Sequence, residues 1–248
     1  MAPIRKGDGT PLEIPGVSEV RSGDGRVFFD GDAIPDTVRN QYSSLQLTLS
    51  NGTTVDPYSD AVGELDLSPV GSPTFTESDP NLNDRDSVVY DGTDDAHVLS
   101  SAEWDTLQQP FTIIAVVNPT DGGDRDSIVT RESTDDPPFF FDIRFDDNVY
   151  ELFAGSAVFG GTPTEDVQLL TGIVDGPDSA LRKNGSEIAT GDVGTADLES
   201  ISVCAREGDS DFLDGPQGIT EFHTVALSGT DLTDREDAIA SKFGIDLS

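Results

Sequence analysis

The pattern of apolar and polar positions along the chain is that of many short strands. Residues 45–49 alternate apolar and polar before the turn pair Asn51-Gly52, as a half-buried strand does. Residues 111–117 form a nearly continuous apolar run, which is typical of a strand buried on both faces. Further apolar runs predict strands at residues 88–90, 139–145, 169–174, 201–205 and 219–227. The pattern therefore predicts an all-β, antiparallel sandwich.

Two local signals predict a hairpin and a helix within this all-β pattern. Residues 179–190 carry Asn184-Gly185 at their centre, a pair that accepts positive φ at both positions and closes a type I′ hairpin. Near the C-terminus, Thr233 is followed three residues later by a glutamate, which is capping-box spacing. This spacing predicts a short C-terminal helix that begins at Thr233 and ends at Gly244.

Residues 1–40 differ from the rest of the chain in being rich in turns and less acidic. Five of the fourteen basic residues lie here: Arg5, Lys6, Arg21, Arg26 and Arg39. Two interpretations remain open, a docking arm with short strands and a loose terminus that happens to be less acidic. The segment contains no apolar core of a signal peptide, and residues 41–248 are predicted to form the all-β domain.

The charge balance points to a saline environment. The chain has 48 acidic and 14 basic residues and a net charge of −34. Such self-repulsion strains a compact state at ordinary ionic strength, whereas at about 1 M salt the Debye length is only about 3 Å. Because 35% of the residues are hydrophobic, with 13 Phe, we expect a folded halophilic protein rather than a disordered one. The same charge argues against binding nucleic acid.

Motifs from residue 90 to residue 245 resemble a known family. They include V-Y-D-G-T-D-D at 89–95, F-T-I-I-A-V-V-N-P at 111–119, R-K-N-G at 182–185 and the closing stretch 212–245. As a series they are similar to the laminin-G-like, concanavalin A-like lectin and glucanase jelly roll. The resemblance implies a jelly-roll sandwich whose members mostly bind glycans or proteins, with some hydrolases among them.

Catalytic signals are weak in this sequence. Glucanases of the family carry Glu-x-Asp-x-Glu on one strand face, and no such motif occurs here. The nearest substitute is Asp142, Arg144 and Asp146, in which an arginine between two aspartates is expected to hold both as anions. His97 and His223 lack an accompanying nucleophile motif, and we expect them to be hydrogen-bonded in the interior or exposed rather than catalytic. We therefore expect a non-enzymatic protein.

Calcium and glycan sites are the remaining candidates for chemistry. The family often carries calcium near its ligand rim, and the acidic clusters with the local density for Ca²⁺ are Asp91, Asp94 and Asp95, or Asp209, Asp211 and Asp214. Solvated acidic loops are the alternative in so acidic a chain. The candidate glycan platforms are Trp104, Tyr58, Tyr150 and Phe159, for each of which core packing is the alternative.

A surface-type fold, an N-terminal arm and a halophilic charge together favour a virion protein. We expect a head decoration, turret or tail-fibre protein of a haloarchaeal tailed virus, assembled in the host cytoplasm without a signal peptide. Residues 1–40 would dock on other virion proteins, and the jelly roll would face host surface glycan or glycoprotein. We also expect a homo-oligomer, with no membrane insertion. The alternatives are a glycoside hydrolase of the same fold and a purely structural virion subunit.

Overall fold

The computed structural model describes residue 35 and residues 37–63, 65–122, 124–131, 138–206 and 210–247. These residues form a domain of strands with one α-helix. The strands are β1 (Val38–Ser43), β2 (Ser68–Val70), β3 (Thr74–Asp79), β4 (Arg85–Asp91), β5 (Ala96–Leu99), β6 (Phe111–Val117), β7 (Arg125–Thr130), β8 (Phe140–Arg144), β9 (Val149–Phe153), β10 (Ala157–Gly160), β11 (Gln168–Val174), β12 (Ser179–Lys183), β13 (Ser186–Gly191), β14 (Ile201–Val203) and β15 (Asp214–His223). The helix α1 spans Gly229–Phe243, and short 3-10 turns lie at Ser44–Gln46, Pro80–Leu82 and Gly176–Asp178.

The strands form two antiparallel sheets. The eight-stranded sheet has the order β13-β12-β11-β6-β15-β4-β3, and β1 also pairs with β15. The seven-stranded sheet has the order β10-β9-β8-β7-β14-β5-β2. Neighbours in these sheets are often far apart in sequence, as in β15 between β6 and β4. The predicted antiparallel jelly-roll sandwich is confirmed.

Strand β6 shows why a continuous apolar run is required at the centre of the larger sheet. Ile113, Ala115 and Val117 contribute to the core between the two sheets. Ile114 and Val116 point the other way, into a second apolar cluster beneath helix α1. All seven residues of β6 are buried, so the prediction of burial on both faces is confirmed.

The hairpin of β12 and β13 forms as predicted. Asn184 has a φ of 47° and Gly185 a φ of 80°, so both central residues adopt the left-handed conformation that a type I′ turn needs. Strand β12 pairs with β11, which places the hairpin at one edge of the eight-stranded sheet.

The start of the C-terminal helix was predicted wrongly. Helix α1 begins after Ser228, and Thr233 lies inside it, where the threonine hydroxyl donates to the carbonyl oxygens of Gly229 (3.3 Å) and Thr230 (3.2 Å). The glutamate of the apparent capping box, Glu236, instead faces the sheet and is buried. The predicted end at Gly244 is correct, with a left-handed φ of 64°.

The predicted strand at residues 45–49 is absent from the described structure. The chain makes a 3-10 turn at Ser44–Gln46 and continues without strand pairing. Leu47 and Leu49 pack against the core while Leu45 is exposed, so the alternation reflects packing of an irregular segment. Strand β1 lies earlier, at Val38–Ser43, where it pairs with β15.

The predicted N-terminal arm falls largely outside the described residues. Of residues 1–40, only residue 35 and residues 37–40 are described, and Val38 to Asn40 belong to β1. Docking through the arm therefore stays a prediction. Among the described residues, no helix is both long enough and apolar enough to cross a membrane.

Candidate functional site

Four neighbouring strands of the seven-stranded sheet align polar and aromatic side chains on its outward side. The register places Ser127 opposite Asp142, Asp142 opposite Glu151, and Glu151 opposite Phe159. Because side chains alternate along a strand, the residues between them, such as Phe141, point into the core. We call this surface the β7–β10 face and define it by Arg125, Ser127, Phe140, Asp142, Arg144, Glu151, Phe153 and Phe159.

Arginines link the carboxylates of the β7–β10 face into one ion-pair network. Arg125 Nη1 lies 3.0 Å from Oδ2 of Asp142 and 3.3 Å from Oε2 of Glu151. Arg144 Nη1 lies 3.5 Å from the same Glu151 oxygen, and Arg144 Nη2 lies 3.6 Å from Oδ2 of Asp146. The sequence predicted that Arg144 would pair with both aspartates, but Asp142 pairs across the strands with Arg125 instead.

Asp142 is the most perturbed group of the face. Its side chain is fully buried, and burial raises its pKa to about 7 although Arg125 opposes the shift. Its Oδ1 has no partner at hydrogen-bonding geometry among the described residues. The expectation that an arginine holds Asp142 as an anion is therefore wrong, because the cost of burying the charge outweighs the attraction.

Phe159 supplies an exposed aromatic ring on β10, at the edge of the β7–β10 face. Its side chain is 48% exposed, and it is the only large aromatic exposed to this extent among the described residues. The guanidinium of Arg144 lies 5.7 Å from the ring centroid. Beside it, the rings of Phe140 and Phe153 lie 5.4 Å apart, and Arg206 stacks 3.8 Å above Phe140.

The other three predicted platforms belong to the core. Trp104 is buried and its Nε1 donates to the carbonyl oxygen of Leu198 at 2.8 Å. Tyr58 is fully buried with its ring 5.1 Å from that of His97, and Tyr150 is buried as well. Rings that are closed off from solvent cannot stack on a sugar, so only Phe159 remains from the predicted set.

Of the two predicted calcium clusters, one is assembled. Ligand oxygens of Asp91, Asp94 and Asp95 lie within 4.8 Å of one another. Asp91 Oδ1 accepts from the backbone nitrogen of Asp94 at 3.2 Å, and Asp95 Oδ1 accepts from that of Ser72 at 2.6 Å. Burial raises the pKa of Asp95, and the charges of the other two aspartates add to the effect. Calcium binding here stays a prediction.

The second predicted cluster lies partly outside the described residues and stays a prediction. Asp209 lies outside them, and Asp211 pairs with Arg206 at 3.0 Å. Asp214 begins β15 and lies near Asp126, a buried carboxyl that the sequence reasoning missed. Burial, followed by the charge of Asp214, raises the pKa of Asp126 to about 8.

Both histidines are buried inside the domain, as expected for structural residues. His97 Nε2 lies 2.9 Å from the carbonyl oxygen of Val55, so this nitrogen carries the proton and Nδ1 accepts from the Tyr90 hydroxyl at 2.8 Å. Burial lowers the pKa of His97 to about 4. His223 lies 3.3 Å from Glu221.

Comparison with known proteins gives matches to solved structures alone. No family model matches the chain, and no curated protein matches it. The sialidase of Trypanosoma rangeli superposes with a TM-score of 0.59 at 10% identity, over 92% of this chain and 36% of that one. The same enzyme in complex with sialic acid gives 0.57 at 12% identity, over 86% and 34%. Domain 4 of AbnA, an arabinanase from Geobacillus stearothermophilus, in complex with arabinotriose, gives 0.47 at 14% identity, over 80% and 97%.

The two sialidase matches support the fold and correct one expectation. The expectation of a non-enzymatic protein is contradicted, because sialidases, which are enzymes, share the fold of this chain. At 10–12% identity the likeness establishes the fold alone. The chain spans only 34–36% of the length of those sialidases, so their activity is not transferred to it. Neither of the two proteins compared is viral.

Proposed function

We propose that this protein binds glycans through the β7–β10 face. The observation that carries the proposal is the exposed ring of Phe159, which lies opposite Glu151 in the sheet register and 5.7 Å from the guanidinium of Arg144. A sugar ring presents C–H groups that pack on an aromatic face and hydroxyls that bond to carboxylate and guanidinium groups. The shared fold with a sialidase in complex with sialic acid supports a glycan as the ligand, without regard to its charge.

A Phe159→Ala variant tests this proposal. We expect the protein to bind glycans on an array at multimolar salt and the variant to lose at least about tenfold in affinity, since stacking contacts are lost. Leu45→Ala is the matched control, because Leu45 is also exposed but lies away from the face. Equal affinities of the two variants would reject the β7–β10 face as the binding site.

We also propose that the domain is displayed on the particle of a haloarchaeal tailed virus, as a head decoration, turret or tail fibre. The net charge of −34 and the less acidic residues 1–40 support this proposal. Mass spectrometry of purified particles and of host cytosol tests it, with the protein expected in the particles. Detection in the cytosol alone would reject it.

Hydrolysis of the bound glycan is a second candidate function. Asp142 and Glu151 face each other across β8 and β9 and share Arg125 Nη1, while burial raises the pKa of Asp142 to about 7. Glycoside hydrolases use such a pair, in which one carboxyl is protonated and donates its proton to the leaving oxygen. Because the Asp142 side chain is fully buried and a general acid must reach the glycosidic oxygen, we propose binding ahead of hydrolysis.

Asp142→Asn separates the two functions. If the face is catalytic, the variant retains glycan binding and loses release of reducing sugar, whereas Asp146→Asn, on the exposed end of the network, retains both. Turnover that is unchanged in Asp142→Asn and in Glu151→Gln would reject the hydrolase.

A further inference from the structure

We infer that the glycan bound by the β7–β10 face is uncharged. The inference rests on the proposed glycan binding and concerns the class of sugar. The chain has a net charge of −34, yet Arg125 and Arg144 lie on this face and Arg206 lies beside it. Among the described residues of this region, each of these three guanidinium groups already contacts a carboxylate.

Each arginine of the region is already paired with an acid of the same surface. Arg125 contacts Asp142 and Glu151. Arg144 contacts Glu151 as well as Asp146 and Asp147.

The third arginine, Arg206, is held in the same way. It lies over the ring of Phe140 and pairs with Asp211. The acidic group of a sugar would have to displace one of these carboxylates to reach a guanidinium, and the displaced carboxylate would then lie unpaired beside it.

The charge that reaches solvent at this face is acidic. The side chains of Asp146 and Asp147 are 44% and 54% exposed, whereas those of Arg125 and Arg144 are 16% and 17% exposed. An anionic ligand therefore meets carboxylates first. At multimolar salt, screening shortens this repulsion to contact distance but does not remove it.

Neighbouring stretches of the sequence do not supply the missing cation. Residues 132–137 follow β7 by one residue, and residues 207–209 follow Arg206 directly. Neither stretch contains lysine or arginine. Their acidic residues are Glu132, Asp135, Asp136, Glu207 and Asp209.

The hydrogen-bonding character of the face matches a polyol. Ionised carboxylates only accept hydrogen bonds, and Nη1 of Arg125 and Nη1 of Arg144 each lie within 3.5 Å of one. Arg144 Nε has no hydrogen-bond partner among the described residues, but it is buried and does not reach solvent. What the face offers a ligand is therefore mainly acceptors beside the ring of Phe159. Sugar hydroxyls donate hydrogen bonds, whereas carboxylate and sulfate groups do not.

Matched pairs of glycans test the inference at a fixed multimolar salt concentration. Suitable pairs are lactose with 3′-sialyllactose, and a neutral galactan with its sulfated form. We expect the neutral member to bind at least about tenfold more tightly, the ratio that corresponds to about 1.4 kcal/mol. The double variant Asp146→Asn with Asp147→Asn is expected to reduce this ratio. The control, Asp234→Asn with Asp237→Asn, makes the same charge change on the exposed side of α1 and is expected to leave the ratio unchanged.

The outcomes distinguish the inference from the proposed function. Tighter binding of the acidic member, still lost in Phe159→Ala, overturns the inference and keeps glycan binding at this face. An unchanged ratio in the Asp146 and Asp147 variant also overturns it. Failure of every glycan to bind overturns both.

Discussion

Asp142 is a fully buried carboxyl on β8 whose cation partner comes from a neighbouring strand. Arg144 is the cation nearest to Asp142 in sequence and lies on the same side of β8, whereas Asp146 lies in the turn that follows the strand. In the sheet, however, Arg125 from β7 reaches Asp142, and Arg144 turns to Glu151 and Asp146. Burial of the Asp142 carboxyl disfavours its charged form more than Arg125 favours it, so its pKa rises to about 7.

The raised pKa of Asp142 predicts a pH-dependent stability. Because the folded-state pKa of about 7 lies above the unfolded value of 3.8, the folded state keeps a proton that the unfolded state gives up between these pH values. The contribution of Asp142 to the free energy of unfolding therefore falls as pH rises from about 4 to about 7. Asp142→Asn should remove this slope, so that the wild type loses on the order of a few kcal/mol relative to the variant over this range.

Denaturant unfolding at several pH values and constant high salt measures the difference. Asp146→Asn is the control, because the Asp146 side chain is 44% exposed and its charge stays in solvent in both states. Parallel pH profiles for the wild type and Asp142→Asn would contradict the prediction.

Among the elements, turns were predicted better than helix starts. Asn184-Gly185 fixes its hairpin because few residues accept positive φ at two consecutive positions. Thr233 and Glu236 have the spacing of a capping box, but Glu236 is instead engaged by Arg182 at 2.9 Å. Local spacing cannot reveal such a tertiary partner, which lies on β12.

A Gly185→Ala variant tests the hairpin turn. At a φ of 80° an alanine is strained, and its Cβ would lie 3.3 Å from Cβ of Leu247. We expect a loss of about 1–2 kcal/mol in the free energy of unfolding. Gly52→Ala measures the backbone strain alone, because Gly52 has a φ of 75° but no atom near the added Cβ. Gly122→Ala is the neutral control, because Gly122 has neither a positive φ nor a close neighbour. A loss no larger than that of Gly122→Ala would contradict the prediction.

A buried ion pair between Arg235 of helix α1 and Glu221 of β15 joins the helix to the eight-stranded sheet. Arg235 Nε donates to Oε2 of Glu221 at 2.8 Å, and both side chains are buried. Burial raises the pKa of Glu221, but the hydrogen bond from His223 and the charge of Arg235 outweigh it and hold the pKa at about 2. The ionised carboxylate therefore depends on its partners.

Removing Arg235 should destabilise the domain strongly. We expect Arg235→Met to cost about 3–5 kcal/mol in denaturant unfolding, because it leaves the charge of Glu221 buried without its main cation. The double variant Arg235→Met with Glu221→Gln should recover a large part of this loss. Arg85→Met, at an exposed arginine of β4, is the control. If Arg235→Met is as mild as this control, the pair does not hold the helix.

For the whole molecule, the sandwich could be predicted from sequence and the composition of its outer face could not. Apolar runs such as 111–117 locate strands, because burial on one or both faces dictates their pattern. Glu151 lies opposite Asp142 because of the β8–β9 register. The turn between Arg144 and Val149 sets this register, and it was not used in the sequence prediction. The neighbours of Arg125 and Arg206 depend on pairings between distant segments, which no local pattern encodes.

The charge of the whole molecule predicts that its stability depends on salt. With a net charge of −34, repulsion acts over about 10 Å at 0.1 M salt but over only about 3 Å at 1 M. We expect the far-ultraviolet circular dichroism of strands to be lost, and the radius of gyration from X-ray scattering to increase, as salt is lowered from multimolar to about 0.1 M. Unchanged circular dichroism and radius across this range would contradict the prediction.

A pair of charge variants on helix α1 separates screening from other effects of salt. Asp234 and Asp237 are exposed there, so their replacement leaves the core intact. Asp234→Asn with Asp237→Asn lowers the net negative charge by two and should move the unfolding midpoint to lower salt. Asp234→Glu with Asp237→Glu keeps the charge and should leave the midpoint near that of the wild type. If the two double variants shift the midpoint equally, the salt requirement comes from a source other than repulsion between carboxylates, such as the exclusion of salt from the protein surface.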